Sequence, residues 1–218
     1  MKVIILDHHE ARILNGEQFL PEADVVIDPH ITEADFEDYC GAGLAYRFMR
    51  EVFAKKRRPA DLNGIMSSMI ALAAVGTIGD SVTMKAENRF LVRRGMEQIE
   101  QRRVSTGLAL LLEEMELSDT LSVEDIAYSL VPAINAFGRL EDEGSRKVAA
   151  LLSYNGRKSD GAKNAAQIVK QMNDERKTYC KELTELAEKM VEETGQMNNS
   201  VLVLQDNRFL KGICGIIA

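Results

Sequence analysis

A carboxylate and two imidazoles follow one another at Asp7-His8-His9, directly after the apolar run Val3-Ile4-Ile5-Leu6. Such a run is typical of a strand inside a parallel sheet. Ligands of open α/β sheets collect at the carboxyl ends of these strands, and Asp and His gain little from burial in a core. We therefore predict a metal site at this strand end. The alternative is a polar turn that happens to contain two histidines.

A second carboxylate, Asp80, follows a long apolar segment in the sequence Gly76-Thr77-Ile78-Gly79-Asp80-Ser81. The alternative interpretation is a helix C-cap in which Gly79 is left-handed and Asp80 begins a turn. Taken with Asp7, His8 and His9, Asp80 completes a set of two carboxylates and two imidazoles. This mixed set suits Mn²⁺ or a similar divalent ion better than structural zinc, which prefers thiolates.

A third segment, Val131 to Leu140, is predicted to be a loop because Pro132 and Gly138 interrupt it. Asn135 offers an amide, and Arg139 offers a planar guanidinium suited to phosphate. The alternative for Arg139 is a structural salt bridge with one of the acidic residues at positions 141 to 143. The run Lys55 to Pro59 is most simply a solvated loop that could touch an anion.

The composition limits the partners of the chain. Its 218 residues carry 27 Lys and Arg against 34 Asp and Glu, a net charge of −7. An acidic chain is not a general binder of phosphate backbones, so any nucleic-acid contact needs a metal or a local basic patch. The three cysteines are far apart, which favours a reducing cytoplasm. The longest apolar stretch is shorter than the roughly 20 residues of a membrane span, so we predict no membrane partner.

The fold class predicted from these patterns is α/β, with a parallel sheet and many helices. Helices are expected over Gly41–Phe53, Gly64–Gly79, Glu87–Gln101 and Thr106–Glu116, and from Ser122 to Leu130. Ser159 to Glu193 is predicted to be one long connecting helix, because apolar residues recur there at helical spacing without proline. Ser200 to Leu204 is predicted to be a strand that begins a second α/β domain.

Several motifs, in this order, resemble the DHH phosphoesterases and, within them, the RecJ single-stranded-DNA exonucleases. The last of them resembles the start of the associated DHHA1 domain. They are Ile4 to His9, Val26 to Pro29, Cys40 to Ala45, Gly76 to Asp80, Asn88 to Gly95, Pro132 to Leu140, Asn173-x-x-Arg176 and Lys211 to Ala218. The resemblance divides the chain into a partial DHH domain (1–154), a connecting helix (155–195) and the start of DHHA1 (196–218).

The resemblance implies a two-lobed enzyme that uses two Mn²⁺ or Mg²⁺ ions to degrade single-stranded DNA from its 5′ end. It makes Asp7, His8 and Asp80 metal ligands, and it makes His9 and Asp80 catalytic. The predicted substrate-binding residues are Asn135, Gly138, Arg139 and Gly212.

Three departures from the family pattern accompany the resemblance. Family members carry an earlier D-x-D-G strand, whereas nothing precedes Met1-Lys2 here. Ala133 stands where an arginine is common, and Leu210 stands where a histidine is usual. We therefore expect half a metal site and impaired turnover by this chain alone, as in an incomplete piece of a longer enzyme.

Two other functions stay open at this point. The first is a DHH phosphodiesterase that acts on oligonucleotides, cyclic dinucleotides or nucleotide phosphates through the same metal residues. The second is a non-catalytic nucleic-acid-binding or regulatory module. Retention of all four metal-competent residues favours the enzymes. The sequence predicts no particular protein partner.

Overall fold

The computed structural model describes residues 1–14, 17–31, 34–56, 59–117 and 120–218. Two compact units make up the chain. The first contains Met1–Val104 and Ser118–Val131, and the second contains Ser105–Leu117 and Pro132–Ala218. The predicted loop run Lys55 to Pro59 falls partly outside the described residues, because Arg57 and Arg58 are not among them.

The described strands and helices have the following bounds in chain order. The strands are β1 (Ile4–Leu6), β2 (Arg12–Leu14), β3 (Glu17–Phe19) and β4 (Val25–Ile27). The helices are α1 (Gly41–Lys55), α2 (Leu62–Gly79), α3 (Ala86–Glu100), α4 (Thr106–Glu114), α5 (Val123–Asp125), α6 (Val131–Leu140), α7 (Gly144–Ser153), α8 (Asp160–Glu193) and α9 (Lys211–Ile217). Short 3₁₀ turns lie at Pro29–Ile31 and Gln196–Asn198.

A parallel pair of strands begins the first unit. β1 pairs with β4 in the register Ile4↔Val25, Ile5↔Val26 and Leu6↔Ile27. The α/β class and the parallel pairing are therefore confirmed. β2 and β3 form a separate antiparallel pair.

Three helices cover the inner face of this pair. Leu6 and Ile27 pack on a core built by Tyr39, Leu44, Tyr46, Ile70, Ala73 and Leu91. The helices approach closely where small residues meet: a Cβ on Gly76 would press on Ala42, and a Cβ on Gly95 would collide with the side chain of Ala74. α2 therefore lies tightly between α1 and α3.

α2 could cross a membrane by length and composition alone, with 18 residues and a mean hydropathy of 1.5. Seven of its residues are buried, from Ile70 to Ile78. The core helix of a soluble protein meets the same criteria of length and composition. Such a helix is apolar on most of its faces because it packs against neighbours on both sides, as α2 does against α1 and α3.

The segment Val131 to Leu140 is a helix, so the predicted loop is wrong. Ser122 and Asp125 form a capping box that starts the preceding turn, and Ile126–Leu130 forms a π turn. Val131 N–H bonds to Ile126 O, five residues back, directly before Pro132. Proline lacks an N–H and its ring crowds the carbonyl four residues earlier. The wider π turn accommodates the ring, and the helix continues.

The second unit is helical and is organised on α8, which confirms the predicted long helix. Its 34 residues extend for about 51 Å. Its buried residues are Ala166, Val169, Asn173, Leu183 and Val191. α4 packs against α8 and α7, and Leu108, Leu111 and Leu112 are fully buried. Burial of each leucine side chain stabilises the unit by about 1.5–3 kcal/mol.

The predicted strand Ser200 to Leu204 is also wrong. Val201 and Val203 are 71% and 74% exposed, and no strand among the described residues pairs with this segment. A strand without a neighbour has no ladder for its backbone groups. Instead, the side chain of Gln196 donates to Val203 O at 3.2 Å and accepts from Val203 N at 3.1 Å.

Candidate functional site

The carboxyl edge of the parallel strand pair carries two aspartates. Asp7 N–H donates to Ile27 O at 3.0 Å and so extends the ladder by one residue beyond β1. Asp28 follows β4 at the same edge and is only 4% exposed. Polar side chains therefore emerge at the strand end where ligands of α/β sheets bind.

A tight turn fixes the carboxylate of Asp7. Its Oδ1 accepts hydrogen bonds from His8 N at 2.8 Å, His9 N at 3.3 Å and His9 Nδ1 at 2.7 Å. The side-chain bond from His9 is the main reason that the pKa of Asp7 lies below its usual value, and the two backbone N–H groups add to this. Asp7 is therefore ionised at neutral pH.

His8 and Asp80 face each other across the site. Their Nε2 and Oδ2 atoms lie 3.7 Å apart, and the side chains are 20% and 47% exposed. The ring of His8 also lies against the start of α1, since its Cδ2 is 3.5 Å from the position of a Cβ on Gly41. The ring centroids of His8 and His9 lie 4.3 Å apart, and the two ring planes are tilted by 36°.

Asp80 is the residue that caps α2, and its N–H donates to Gly76 O at 2.9 Å. The left-handed residue of this turn is Ser81, with φ of 55°, and not Gly79 as the capping interpretation supposed. Gly79 has a packing role, because a Cβ there would lie 3.0 Å from both methyl groups of Val131.

The donor set fits a divalent cation in part. Two ligands of one small ion lie roughly 3 Å apart, and the 3.7 Å between His8 Nε2 and Asp80 Oδ2 approaches this. The second oxygen of Asp7, Oδ2, accepts no hydrogen bond within the described chain and is available as a further ligand. However, no three His, Cys, Asp or Glu side chains cluster around one point in the described ranges. The ligand roles of Asp7, His8 and Asp80 stay a prediction.

The predicted substrate-binding residues lie together in the second unit. Asn135, Gly138 and Arg139 line one cleft of about 490 Å³, with Ser145 on its other side. The residues of α6 that alternate with them, Ala133, Ala136 and Phe137, are buried. The helix therefore presents the amide of Asn135 and the guanidinium of Arg139 to the cleft, although the segment was expected to be a loop.

Arg139 pairs with the backbone of Gly212 and not with the acidic residues that follow it. Its Nη1 donates to Gly212 O at 3.2 Å. Glu141 binds Lys147 at 2.6 Å, and Glu143 binds Arg146 at 3.5 Å. The salt-bridge alternative for Arg139 is therefore wrong, and the structure brings together two residues 73 positions apart.

Substitution of Gly212 tests this contact. A Cβ on Gly212 would collide with the backbone carbonyl of Arg139, whereas a Cβ on Gly215, in the same helix, meets no atom within 4 Å. Gly212→Ala is expected to lower the free energy of unfolding by about 1–3 kcal/mol. Gly215→Ala is the matched control and is expected to raise it by about 0.5 kcal/mol. Urea denaturation measures both, and equal effects would contradict the close contact.

Asn88, the first residue of one of the family-like motifs, is a buried polar residue for which no site role was predicted. It is fully buried, and its Nδ2 donates to Asp38 O at 2.6 Å and to Thr83 O at 3.0 Å. It therefore joins the segment that leads to Gly41 with the segment that follows Asp80. Its spacing to Leu91 and Val92 is that of a core-facing helical position, which is the signal that could have identified it.

The comparisons with known proteins agree with these features. No family model matches the chain. It is 28% identical over 224 residues to the single-stranded-DNA-specific exonuclease RecJ of Bacillus subtilis and covers 26% of that protein. It is 33% identical over 162 residues to the Escherichia coli protein of the same name, which aligns with 70% of this chain and 27% of its own length. The chain thus spans about a quarter of the curated relatives it matches.

Solved structures share the fold. A crystal structure of exonuclease RecJ bound to manganese matches with a TM-score of 0.78 and 26% identity, over 100% of this chain and 51% of that one. RecJ of Thermus thermophilus in complex with Mn²⁺ matches with a TM-score of 0.77 at 24% identity, over 100% of this chain and 30% of that one, which supports the fold alone.

Fold and strand-end residues together define an α/β protein of the DHH type, in which a parallel strand delivers Asp-His-His to the edge of the sheet. The relatives specify the branch of that superfamily. The chain is a RecJ-like member of the DHH phosphoesterases.

Proposed function

We propose that this chain takes part in the metal-dependent hydrolysis of phosphodiester bonds in single-stranded DNA, from the 5′ end, as in DNA repair and recombination. The observation that carries the proposal is the approach of His8 Nε2 to Asp80 Oδ2 at 3.7 Å beside the ionised Asp7. It is supported by the relatives, whose names specify a single-stranded-DNA exonuclease, and by a RecJ structure that contains manganese.

In this proposal Asp7, His8 and Asp80 hold Mn²⁺ or Mg²⁺. A bound divalent ion supplies Lewis-acid chemistry, which stabilises charge on the phosphate and makes water a better nucleophile. His9 orients the carboxylate of Asp7 through Nδ1. Because the His9 side chain is 76% exposed, its other nitrogen is free to contact the phosphate or to carry a proton.

Asn135 and Arg139 are proposed to hold the DNA strand. Arg139 uses one N–H on the carbonyl of Gly212, and its other donors stay available for phosphate oxygens. Gly138 allows close packing in the same cleft, since a Cβ there would collide with Ser145. Gly212 contributes backbone to the region that begins the proposed DHHA1 domain.

Turnover by these residues alone is proposed to be weak. Fewer than three ligand side chains converge on one point in the described part of the chain, whereas a catalytic ion usually has three protein ligands. The same observation favours the non-catalytic binding module as the second candidate. A phosphodiesterase that acts on short or cyclic nucleotides would share the metal residues, and its substrate preference would distinguish it.

The three cysteines are free, which supports a cytoplasmic location as part of the proposal. The domain limits at 154 and 195 stay predictions.

The test compares substrates with one protein preparation. The 218-residue chain is incubated with Mn²⁺ and an oligodeoxynucleotide labelled at its 5′ or its 3′ end, and separately with a cyclic dinucleotide. We expect slow release of label from the 5′ end, which EDTA abolishes. Preferential hydrolysis of the cyclic dinucleotide would support the phosphodiesterase instead. Absence of hydrolysis, with DNA binding retained, would support the non-catalytic module.

A further inference from the structure

A second cleft lies in the first unit, away from the strand-end site. Its volume is about 480 Å³, and its walls are side chains from α1, α2 and α3 together with Arg103, which follows α3. Three of these are arginines, Arg50, Arg94 and Arg103. Asn63, Ser67 and Gln98 add amide and hydroxyl groups, and Tyr46 adds a phenol.

The lining of this cleft is basic although the protein is acidic. No Asp or Glu among the described residues belongs to the lining. Arg94 pairs with Glu97 at 2.9 Å and Arg50 pairs loosely with Glu51 at 3.6 Å, both outside the lining. Arg103 forms no ion pair in the described structure. The cleft is therefore the local basic patch that an acidic chain needs in order to contact a phosphate backbone.

An aromatic ring lies beside these cations. Phe90 lies on α3 and is 46% exposed, so part of its ring is accessible to solvent. The guanidinium carbon of Arg94 lies 5.7 Å from the centre of the Phe90 ring. Exposed aromatic rings next to Arg are the elements on which single-stranded nucleic acids stack their bases, without sequence preference.

We propose that this cleft binds single-stranded DNA several nucleotides away from the strand-end site. Arg50, Arg94 and Arg103 contact successive phosphates, and Phe90 stacks on a base. The proposal rests on the proposed function, because it gives a second contact to the same polymer.

The arrangement of the helices gives the separation of the two sites. α1 and α2 run antiparallel, since Gly76 meets Ala42 at one end and Ser67 shares the cleft with Arg50 at the other. Ser67 precedes Asp80 by 13 residues along α2, a distance of about 20 Å. A polymer can span this distance, and a mononucleotide or dinucleotide cannot. The cleft therefore favours long substrates.

The test measures binding without metal, so that it does not depend on hydrolysis. Fluorescence anisotropy in EDTA follows a labelled dT oligomer of about twenty nucleotides across a salt titration. The variant is Arg50→Gln/Arg94→Gln/Arg103→Gln. The control is Lys163→Gln/Lys181→Gln/Lys189→Gln, which removes the same charge from exposed positions of α8.

The arginine variant is expected to bind at least tenfold more weakly, and its salt slope is expected to fall by about 2, at roughly 0.7 for each lost phosphate contact. Phe90→Ala is expected to weaken binding about tenfold, whereas Tyr128→Ala, which removes an aromatic side chain that is 80% exposed elsewhere, is expected to have no effect.

Three results would overturn the proposal. These are an unchanged salt slope in the arginine variant, an equal loss in the lysine control, and competition by polyglutamate as strong as by unlabelled dT. The last would identify an acidic protein as the ligand. Circular dichroism excludes misfolding of each variant. Failure of the proposed function has a different signature, since Mn²⁺-dependent hydrolysis would be absent while the arginine variant still lost DNA affinity.

Discussion

Asp80→Asn is expected to lower the affinity of the chain for Mn²⁺ by about 100-fold or more. The carboxylate lies 3.7 Å from His8 Nε2 and is 47% exposed, so the substitution removes a charged ligand with little change in volume. Loss of a group that merely supports a ligand already weakens metal binding about 10–100-fold. Electron paramagnetic resonance of free Mn²⁺ during a titration measures the affinity.

The control for this change is Asp142→Asn, an exposed aspartate of the second unit. It is expected to leave Mn²⁺ affinity unchanged. The side chain of Asp80 forms no hydrogen bond within the described residues. The free energy of unfolding of both variants is therefore expected to lie within about 0.5 kcal/mol of that of the unaltered chain. Unchanged Mn²⁺ affinity in Asp80→Asn would show that this aspartate is not a ligand.

Asn88→Ala is expected to have the largest effect on stability, a loss of about 2–4 kcal/mol. The side chain donates to Asp38 O at 2.6 Å and to Thr83 O at 3.0 Å in a site with no solvent exposure. Each buried carbonyl left without a partner costs about 1–3 kcal/mol. Part of this cost is offset. Asn88 Oδ1 is buried without a hydrogen-bond partner in the described structure, so its removal by the substitution is favourable.

The matched control is Asn63→Ala on α2, where the amide is exposed. It is expected to change stability by less than about 0.5 kcal/mol. Asn88→Ala is also expected to weaken Mn²⁺ binding, since Thr83 follows Asp80 by three residues and Asp38 precedes Gly41, which contacts His8. Urea denaturation and the Mn²⁺ titration measure the two effects. Stability equal to that of the control would contradict a linking role for Asn88.

Local patterns were sufficient to predict that Asp7, His8 and Asp80 lie at the ends of two elements, whereas their metal-binding role stays a prediction. The apolar run before Asp7 and the long apolar segment before Asp80 each specify one element and its end. The core at Leu44, Ile70 and Leu91 brings those ends together. The 3.7 Å distance from His8 to Asp80 could not be predicted, because it depends on how the side chains of three helices pack.

Two predicted elements were wrong for physical reasons that the sequence hides. Pro132 was interpreted as a helix breaker, but the π turn before it accommodates the ring. Val201 to Leu204 has strand-forming residues but no neighbouring strand in the described chain. Of its backbone groups, the N–H and C=O of Val203 form hydrogen bonds with the side chain of Gln196. β propensity describes the fit of a side chain to a sheet and cannot provide the sheet.

The contact between Arg139 and Gly212 is one that the family resemblance predicted better than residue spacing did. Spacing alone left Arg139 with the acidic residues at 141 to 143 as an alternative partner, because it cannot relate residues 73 positions apart. The family motifs grouped Arg139 with Gly212 in one predicted site. Their hydrogen bond agrees with that grouping, and the phosphate-binding role of Arg139 stays a proposal.

A double-mutant cycle on Mn²⁺ affinity tests the central claim most directly. The claim is that His8 and Asp80 bind the same ion. The cycle compares His8→Gln, Asp80→Asn and the double variant with the unaltered chain in one titration. We predict that each single variant loses most of the affinity and that the double variant is little weaker than either, since a shared ion makes the losses strongly non-additive. Independent, additive losses, or no loss in either single variant, would contradict the claim.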